Sequence, residues 1–348
     1  MIVVLRHGCS KAEVQHVEKH LKELGFEPHT LWGVERTVIA AIGDDRVTTK
    51  EHLESVPGVD RVMPILAPYK LASRELIQRT SEMPLGGPGP EVKPAADLVK
   101  IGGKKIAVIA GPCSVEDRGM ILETAAAVKA AGACALRAGA FKPRTSPYQF
   151  QGLAEEGLEY LAEAREQTGL PIVTEVLTPA DVPLVAKYAD CLQVGTRNMQ
   201  NFLLLRACGE IDRPILLKRG MSATIDEYLL AAEYILSGGN KKVLLCERGI
   251  RTFEQYVRNT FALAAIPALQ EKTHLPVLAD PSHGTGVRRF VAPMAKASVA
   301  CGADGLLIEV HPDPEKAKTD GQQTLDFKEF AKLMQDMKAI AAAVDRSI

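Results

Sequence analysis

From Ile106 to the C-terminus the chain repeats a short apolar run followed by an amphipathic stretch, and it does so eight times. The runs begin at Ile106, Cys134, Ile172, Cys191, Pro214, Lys242, Pro276 and Gly305. They are apolar throughout, the pattern of parallel strands covered on both faces. The stretches between them carry helix-start signals. Ser114-x-x-Asp117, Thr224-x-x-Glu227 and Thr252-x-x-Gln255 fit a capping box or its acidic variant, and Thr178-Pro179 fits an N-cap with proline in the first turn. A final helix is expected from about Asp326. Eight strand–helix units in strict alternation favour closure into a (β/α)8 TIM barrel over an open doubly wound sheet. No GxGxxG turn follows the first run, so a dinucleotide fold has no support.

The first 70 residues read differently. "IVVLR" and "RTVIAAIG" are strand-like, and "VDRVMPIL" supplies a further strand. Val14, Val17, Leu21 and Leu24 share one helical face that Gly25 ends. A short helix in "TKEHLESVPG" and a weak strand at 28–34 complete the order βαββαβ, a ferredoxin-like α+β unit. Residues 82–95, "EMPLGGPGPEVKPA", are too rich in Gly and Pro for regular structure and read as linker, with a short strand pair expected around Gly102-Gly103. The expected organisation is therefore a ferredoxin-like domain over 1–70, a linker over 71–97 and the barrel over 98–348.

Composition excludes several classes. Of 348 residues 46% are hydrophobic and 24% charged, with a formal net charge of −1. A sizeable core is possible, and no basic field argues for nucleic acid. No stretch approaches the roughly 18 apolar residues that span a membrane, and the N-terminus is too short in apolar residues for a signal peptide. Seven cysteines without paired spacing argue against a disulfide framework, so a cytoplasmic setting with reduced thiols is expected.

Barrel active sites lie where strands end. Here the strand ends carry Cys113, then Arg137 with Lys142, Arg144, Thr145 and Ser146, then Glu175, Arg197, Lys218, Glu247 with Arg248, Asp280 with His283, and Glu309 with His311. Any one of these arginines alone would read as a solvated loop residue. Six cations at corresponding positions, Arg137, Lys142, Arg144, Arg197, Lys218 and Arg248, instead point to strongly anionic substrates carrying carboxylate and phosphate.

Cys113, His283, Glu309 and Asp320 come from the first, seventh and eighth units and the loop beyond. In a closed barrel the eighth strand lies beside the first, so these four become neighbours. A thiolate, an imidazole and two carboxylates suit one divalent ion such as Mn, Fe, Co or Zn. Taken singly, Cys113 would read as a buried core thiol and His283 as a hydrogen-bonding residue. The other six cysteines are read as packing residues. His311 ranks behind the four as an alternative ligand or a supporting group.

The segments "GPCSVE", "LRAGAFKPRTSPYQFQG", "LLKRG", "CERGIRTFE", "DPSHG" and "IEVHPDPEKAKTDGQQ" together resemble the type I 3-deoxy-D-arabino-heptulosonate 7-phosphate (DAHP) synthases, in the subgroup close to the 3-deoxy-D-manno-octulosonate 8-phosphate synthases. The resemblance spans about Leu98 to the C-terminus, and the N-terminal unit resembles the ferredoxin-like regulatory domain of some members. It implies condensation of phosphoenolpyruvate with erythrose 4-phosphate at the entrance to the shikimate pathway. It further implies that Arg137 and Lys142 hold the phosphoenolpyruvate carboxylate, and that Arg197, Lys218 and Arg248, with the Thr196 amide, hold its phosphate. Arg144, Thr145 and Ser146 would take the aldose phosphate, and the four donors the metal. Lys142 would protonate or steady the new alkoxide. Glu175 or a metal-linked water is the candidate for activating the attacking water; Glu175 would otherwise be an ion partner of Lys218 or Lys142.

Three rivals stand beside this reading. An octulosonate synthase using arabinose 5-phosphate usually has an Asn-Arg-Ser stretch where this chain reads "KPRTSP". A metal-dependent barrel hydrolase usually carries H-x-H at the first strand end, which "AGPCS" lacks. A metabolite-binding regulator with an inactive barrel would not need intact donors and cations. For the N-terminal unit the resemblance implies feedback control by tyrosine or phenylalanine, with His29 as a candidate contact and closure over the barrel mouth as its mechanism; a role in assembly alone is the alternative. A homotetramer is implied as well.

Overall fold

The computed structural model describes residues 1–33, 36–43, 47–86 and 99–348. It divides into two compact units, Met1–Gln78 and Arg79–Ile348.

In the first unit β1 (Ile2–Leu5), α1 (Lys11–Glu23), β2 (Glu27–Trp32), β3 (Thr37–Ile42), α2 (Lys50–Glu54) and β4 (Val59–Met63) follow one another. The sheet order is β2-β3-β1-β4, with every neighbouring pair antiparallel. This is the βαββαβ arrangement expected. Ser10 and Glu13 form a capping box that starts α1, and Val14, Val17 and Leu21 pack from it onto Val3, Leu5 and Ile39. Ile2 and Val4 point to the opposite face, where Ile65 covers them. Covering on both faces explains why β1 is apolar at every position.

In the second unit, β5 (Met83–Leu85) pairs antiparallel with β6 (Val99–Ile101). Two expectations are corrected here. The 82–95 stretch does contain a strand, because Met83 and Leu85 bury their side chains while Pro84 sits at a two-stranded edge. The strand pair also does not fold about Gly102-Gly103; β6 finds its partner upstream. Of the expected linker, 71–78 belong to the first compact unit, and 87–97 lie outside the described residues.

The barrel strands are β7 (Ala107–Gly111), β8 (Ala135–Arg137), β9 (Ile172–Val176), β10 (Cys191–Val194), β11 (Ile215–Lys218), β12 (Val243–Glu247), β13 (Val277–Ala279) and β14 (Gly305–Glu309). Each starts within one residue of its expected position. All pair in parallel, and β14 pairs with β7 to close the ring, with Glu309 opposite Gly111. Helices α3 (Arg118–Ala130), α4 (Ala154–Thr168), α5 (Val182–Tyr188), α6 (Phe202–Gly209), α7 (Ile225–Ser237), α8 (Ala265–Lys272), α10 (Arg288–Ala300) and α11 (Phe327–Ala343) form the outer layer, while the short, largely buried α9 (Pro281–Thr285) follows β13 at the barrel mouth.

Helix starts were partly as expected. Thr224 and Glu227 make their capping box, Thr178 caps a short 3-10 turn with Asp181, and Asp326 caps α11. Ser114 does not cap α3. Its hydroxyl is 2.7 Å from the Thr319 hydroxyl, and Asp117 caps the helix instead. No helix follows Thr252. Its hydroxyl faces that of Thr260 at 2.6 Å, and Ile250 and Thr260 exchange backbone hydrogen bonds, which hold the segment as a loop until α8. All seven cysteines are free thiols. Among the described residues no helix is long and apolar enough to cross a membrane.

Candidate active site

The polar strand ends converge on one cavity of about 380 Å³ at the C-terminal mouth of the barrel. Arg137, Lys142, Arg144, Arg197, Lys218 and Arg248 all line it, with Thr145, Glu175 and Thr196. The structure thus brings together every expected cation. Ser146 is not among the lining residues; its hydroxyl instead accepts from the Tyr148 amide, and Gln149 occupies the wall. Arg251, Arg258, Asn259 and Gln193 also line the cavity and were not anticipated. Arg258 lay in the segment read as a helix starting at Thr252, and that segment folds instead as a loop; Arg251 sits just before it.

Two of the cations keep donors that no described protein group meets. The Nε of Arg137 and that of Arg248 are buried without a hydrogen-bond partner among the described residues. A buried guanidinium with unused donors is costly unless an anion meets it. Burial pulls the Arg248 guanidinium below its ordinary value, with Asp280 opposing. Burial likewise works against charged Lys142, but Cys113 and Glu175 overcome it and raise the ammonium above its ordinary value. Gly139 makes room for this lysine: a Cβ there would lie 2.7 Å from Lys142 Cδ.

Beneath the cations the four donors meet. The donor atoms of Cys113, His283, Glu309 and Asp320 all lie within 4.8 Å of one another. His283 Nε2 is 3.5 Å from Glu309 Oε1 and 3.7 Å from Asp320 Oδ2, and Cys113 Sγ is 3.3 Å from Asp320 Oδ2. Tetrahedral bonds of about 2.0–2.3 Å hold donors roughly 3.3–3.8 Å apart, so the residues fit a divalent ion. Asp280 takes the other imidazole nitrogen, Nδ1, at 2.8 Å and receives the His283 amide at 2.9 Å, which turns Nε2 inward. Lys218 in turn pairs with Asp280.

The electrostatics match this arrangement. Burial opposes ionisation of Glu309, yet His283 and Arg137 hold its carboxyl below the ordinary value. Arg137 Nη1 donates to Glu309 at 2.8 Å and to the Pro112 carbonyl at 3.0 Å. Burial also opposes ionisation of Asp320, while His283 and Arg258 hold it low. Burial, with Glu309 adding to it, pushes the Cys113 thiol up to about 12, so coordination would have to release its proton.

His311 does not join the donors. Its Nδ1 accepts the Asp313 amide at 3.0 Å, and Nε2 faces Glu116 at 3.6 Å. Glu247 also stays out of the cavity, accepting from Arg219 at 2.8 Å and from the Gly249 amide at 2.7 Å. In the first unit His29 is half-buried on β2, with Nε2 3.6 Å from Glu27.

A closed barrel that joins a cation-lined cavity to a mixed sulfur, nitrogen and oxygen donor set defines an enzyme class acting on strongly anionic small molecules. The comparisons with known proteins specify it further. The chain belongs to the DAHP synthetase I family, which residues 90–343 match, while residues 1–67 match the DAHP synthase ferredoxin-like domain. The phospho-2-dehydro-3-deoxyheptonate aldolase of Thermotoga maritima is 49% identical over 344 residues, covering 99% of this chain and 98% of that protein. A 2-dehydro-3-deoxyphosphooctonate aldolase of Nitratidesulfovibrio vulgaris is 33% identical over 251 residues, 67% of this chain and 91% of that protein. The crystal structure of the Thermotoga maritima DAHP synthase matches with a TM-score of 0.76 at 48% identity, covering 99% of this chain and 98% of that one. A truncated form of the Thermotoga maritima enzyme matches with a TM-score of 0.71 at 46% identity, covering 80% of this chain and 98% of that one.

Proposed function

We propose that this chain condenses phosphoenolpyruvate with erythrose 4-phosphate and water to give 3-deoxy-D-arabino-heptulosonate 7-phosphate and inorganic phosphate, the entry step of the shikimate pathway. The observation that carries the reading is the convergence of six cations on one cavity that His283 and Asp320, two members of the four-donor cluster, also line. Two phosphates and a carboxylate need such a cation set, and an aldehyde acceptor needs an electrophile.

Arg137 and Lys142 hold the phosphoenolpyruvate carboxylate. Arg197, Lys218 and Arg248, with the Thr196 amide, take its phosphate. Arg144 and Thr145, with Ser146 at the edge, take the phosphate of erythrose 4-phosphate. A divalent ion of the Mn, Fe, Co or Zn kind, held by Cys113, His283, Glu309 and Asp320, would polarise the aldehyde oxygen. Carbon three of phosphoenolpyruvate attacks the aldehyde carbon, and Lys142 gives the new alkoxide its proton. Positive charge develops at carbon two, where water adds. Glu175, buried beside Lys142 in the cavity wall, is placed to take a proton from that water. Phosphate then leaves by C–O cleavage. Fixed cations around both anions align the reacting carbons, so positioning contributes alongside charge stabilisation.

The first unit is a regulatory domain that senses an aromatic amino acid, tyrosine or phenylalanine, with His29 among its contacts. The ferredoxin-like match supports this, and none of the proposed catalytic residues lies in the unit. Homotetrameric assembly is part of the same reading and is tested by sedimentation. The activity itself is tested by phosphoenolpyruvate consumption with erythrose 4-phosphate and with arabinose 5-phosphate, before and after chelation. Turnover with erythrose 4-phosphate that chelation abolishes is expected. Preference for arabinose 5-phosphate would indicate the octulosonate reaction, and no phosphate release with either aldose would indicate an inactive barrel.

A further inference from the structure

Arg251 and Arg258 are the cavity cations that the substrate assignment leaves over, and Arg258 is the one tied to the donor cluster. Its Nη1 donates to Asp320 Oδ1 at 3.1 Å and to Gln323 Oε1 at 3.3 Å. Gln323 in turn donates to Glu309 Oε2 at 2.7 Å. One guanidinium therefore reaches two of the four donors, Asp320 directly and Glu309 through one amide. The next residue completes the pattern: Asn259 Nδ2 donates to the His283 carbonyl at 2.8 Å. Two consecutive loop residues thus tie down three donors drawn from the seventh and eighth barrel units.

The loop is built to be held there. The Arg258 amide donates to the Thr285 carbonyl at 2.9 Å. Its side chain lies across Gly286, whose φ is +72° and where a Cβ would come 2.6 Å from Arg258 Cβ. Any other residue at 286 would push the arginine off its seat. Asp320 itself is a non-glycine residue at φ +50°, a conformation that needs surrounding contacts to hold it. With Oδ1 occupied by Arg258, Oδ2 is the oxygen left facing Cys113 and His283.

We propose that Arg258, seated on Gly286 and assisted by Asn259 and Gln323, is a positioning residue that presets the Asp320 and Glu309 carboxylates for the divalent ion. The inference rests on the metal reading above. Arg258 does not bind the substrate anions in this role. It selects which oxygen of Asp320 coordinates and couples the β12–α8 loop to the donor set. Partners in this outer position typically contribute 10–100-fold to ion affinity.

The test is direct Mn(II) titration of the chelator-stripped full-length protein, followed by electron paramagnetic resonance of the free ion. Wild type should bind one ion per chain. Arg258→Ala should weaken that binding by about tenfold or more. Arg258→Lys, which keeps the charge but not the fork, should recover part of the loss, and Gln323→Leu should reproduce part of it. Arg251→Ala removes a neighbouring cavity cation and should leave ion affinity within about twofold. Circular dichroism melts check that each variant is folded; Arg258→Gln, which keeps a donor of similar length, replaces any alanine variant that is not. Unchanged or tighter Mn(II) binding in folded Arg258→Ala overturns the proposal, as does an equal loss in Arg251→Ala. Failure of wild type to bind an ion would instead overturn the metal reading and this inference with it.

Discussion

Lys142 Nζ lies 3.2 Å from Cys113 Sγ and 3.1 Å from the Cys113 carbonyl oxygen. The residue expected to face the substrate anion is thus also the neighbour of a metal donor, and the two halves of the site share it. Lys142→Gln keeps much of the volume and loses the transferable proton. It should lower kcat by about 100-fold or more, the usual contribution of a positioned general acid. Single-turnover rates at saturating substrates check this; a change confined to KM for phosphoenolpyruvate would reduce Lys142 to a binding group.

Cys113→Ala removes the sulfur donor and should weaken divalent ion binding beyond the roughly 10–100-fold seen for outer partners, with turnover falling in parallel. Chelation of the wild-type enzyme should abolish activity, and Mn or a similar ion should restore it. Full turnover in a preparation shown to be metal-free by elemental analysis would falsify the metal assignment.

Arg144 lines the cavity and donates from Nε to Gln149 at 3.1 Å. Loss of a charged hydrogen bond costs about 1.5–3 kcal/mol. Arg144→Ala should therefore raise KM for erythrose 4-phosphate about tenfold or more, and far less for phosphoenolpyruvate. Steady-state kinetics with each substrate varied in turn distinguish the cases; an equal rise for both would mean that the anion sites are partitioned differently.

Arg165 on α4 is buried and donates to Asp190 at 3.0 Å, while the same Asp190 oxygen accepts the Ile172 amide at 2.8 Å at the start of β9. Arg165→Leu would leave that carboxylate buried and uncompensated, a loss of about 3–5 kcal/mol. Urea denaturation should show a lowered midpoint in the barrel transition, and Asp190→Asn in the same background should recover part of it.

A chain shortened to begin at Arg79 should retain catalysis and lose inhibition by tyrosine or phenylalanine. A ligand can shift the enzyme only through unequal affinity for two states, and the proposed sensor would be gone. Starting at Ala95 instead would delete β5 and leave β6 without its partner, so the cut belongs upstream. If the full-length enzyme ignores every aromatic amino acid, the domain is not a sensor of this kind.

Much of the barrel was legible because its strands are buried on both faces, leaving unbroken apolar runs whose starts locate them. The site followed from the same rule. Parallel strands closed in a ring put all their C-terminal residues on one rim, so Arg137, Lys218 and Arg248 could be read together, and Cys113 could be placed beside Glu309. The strand Met83–Leu85 was missed because proline and glycine density hides a three-residue edge strand.

The sequence by itself determined which strand-end residues stand at the barrel mouth and which kind of anion and ion they suit, since periodicity and closure place the strand ends. Tertiary structure decided the rest. Ser114 gave up an expected helix cap because Thr319, far along the chain, offers its hydroxyl at 2.7 Å. Thr252 failed to start a helix because the Ile250–Thr260 backbone pairing holds its loop. Arg258 reached Asp320 only because that loop settles on Gly286. A loop has no period from which its side-chain directions can be read, so contacts with distant segments, each worth little alone, decide where its residues point.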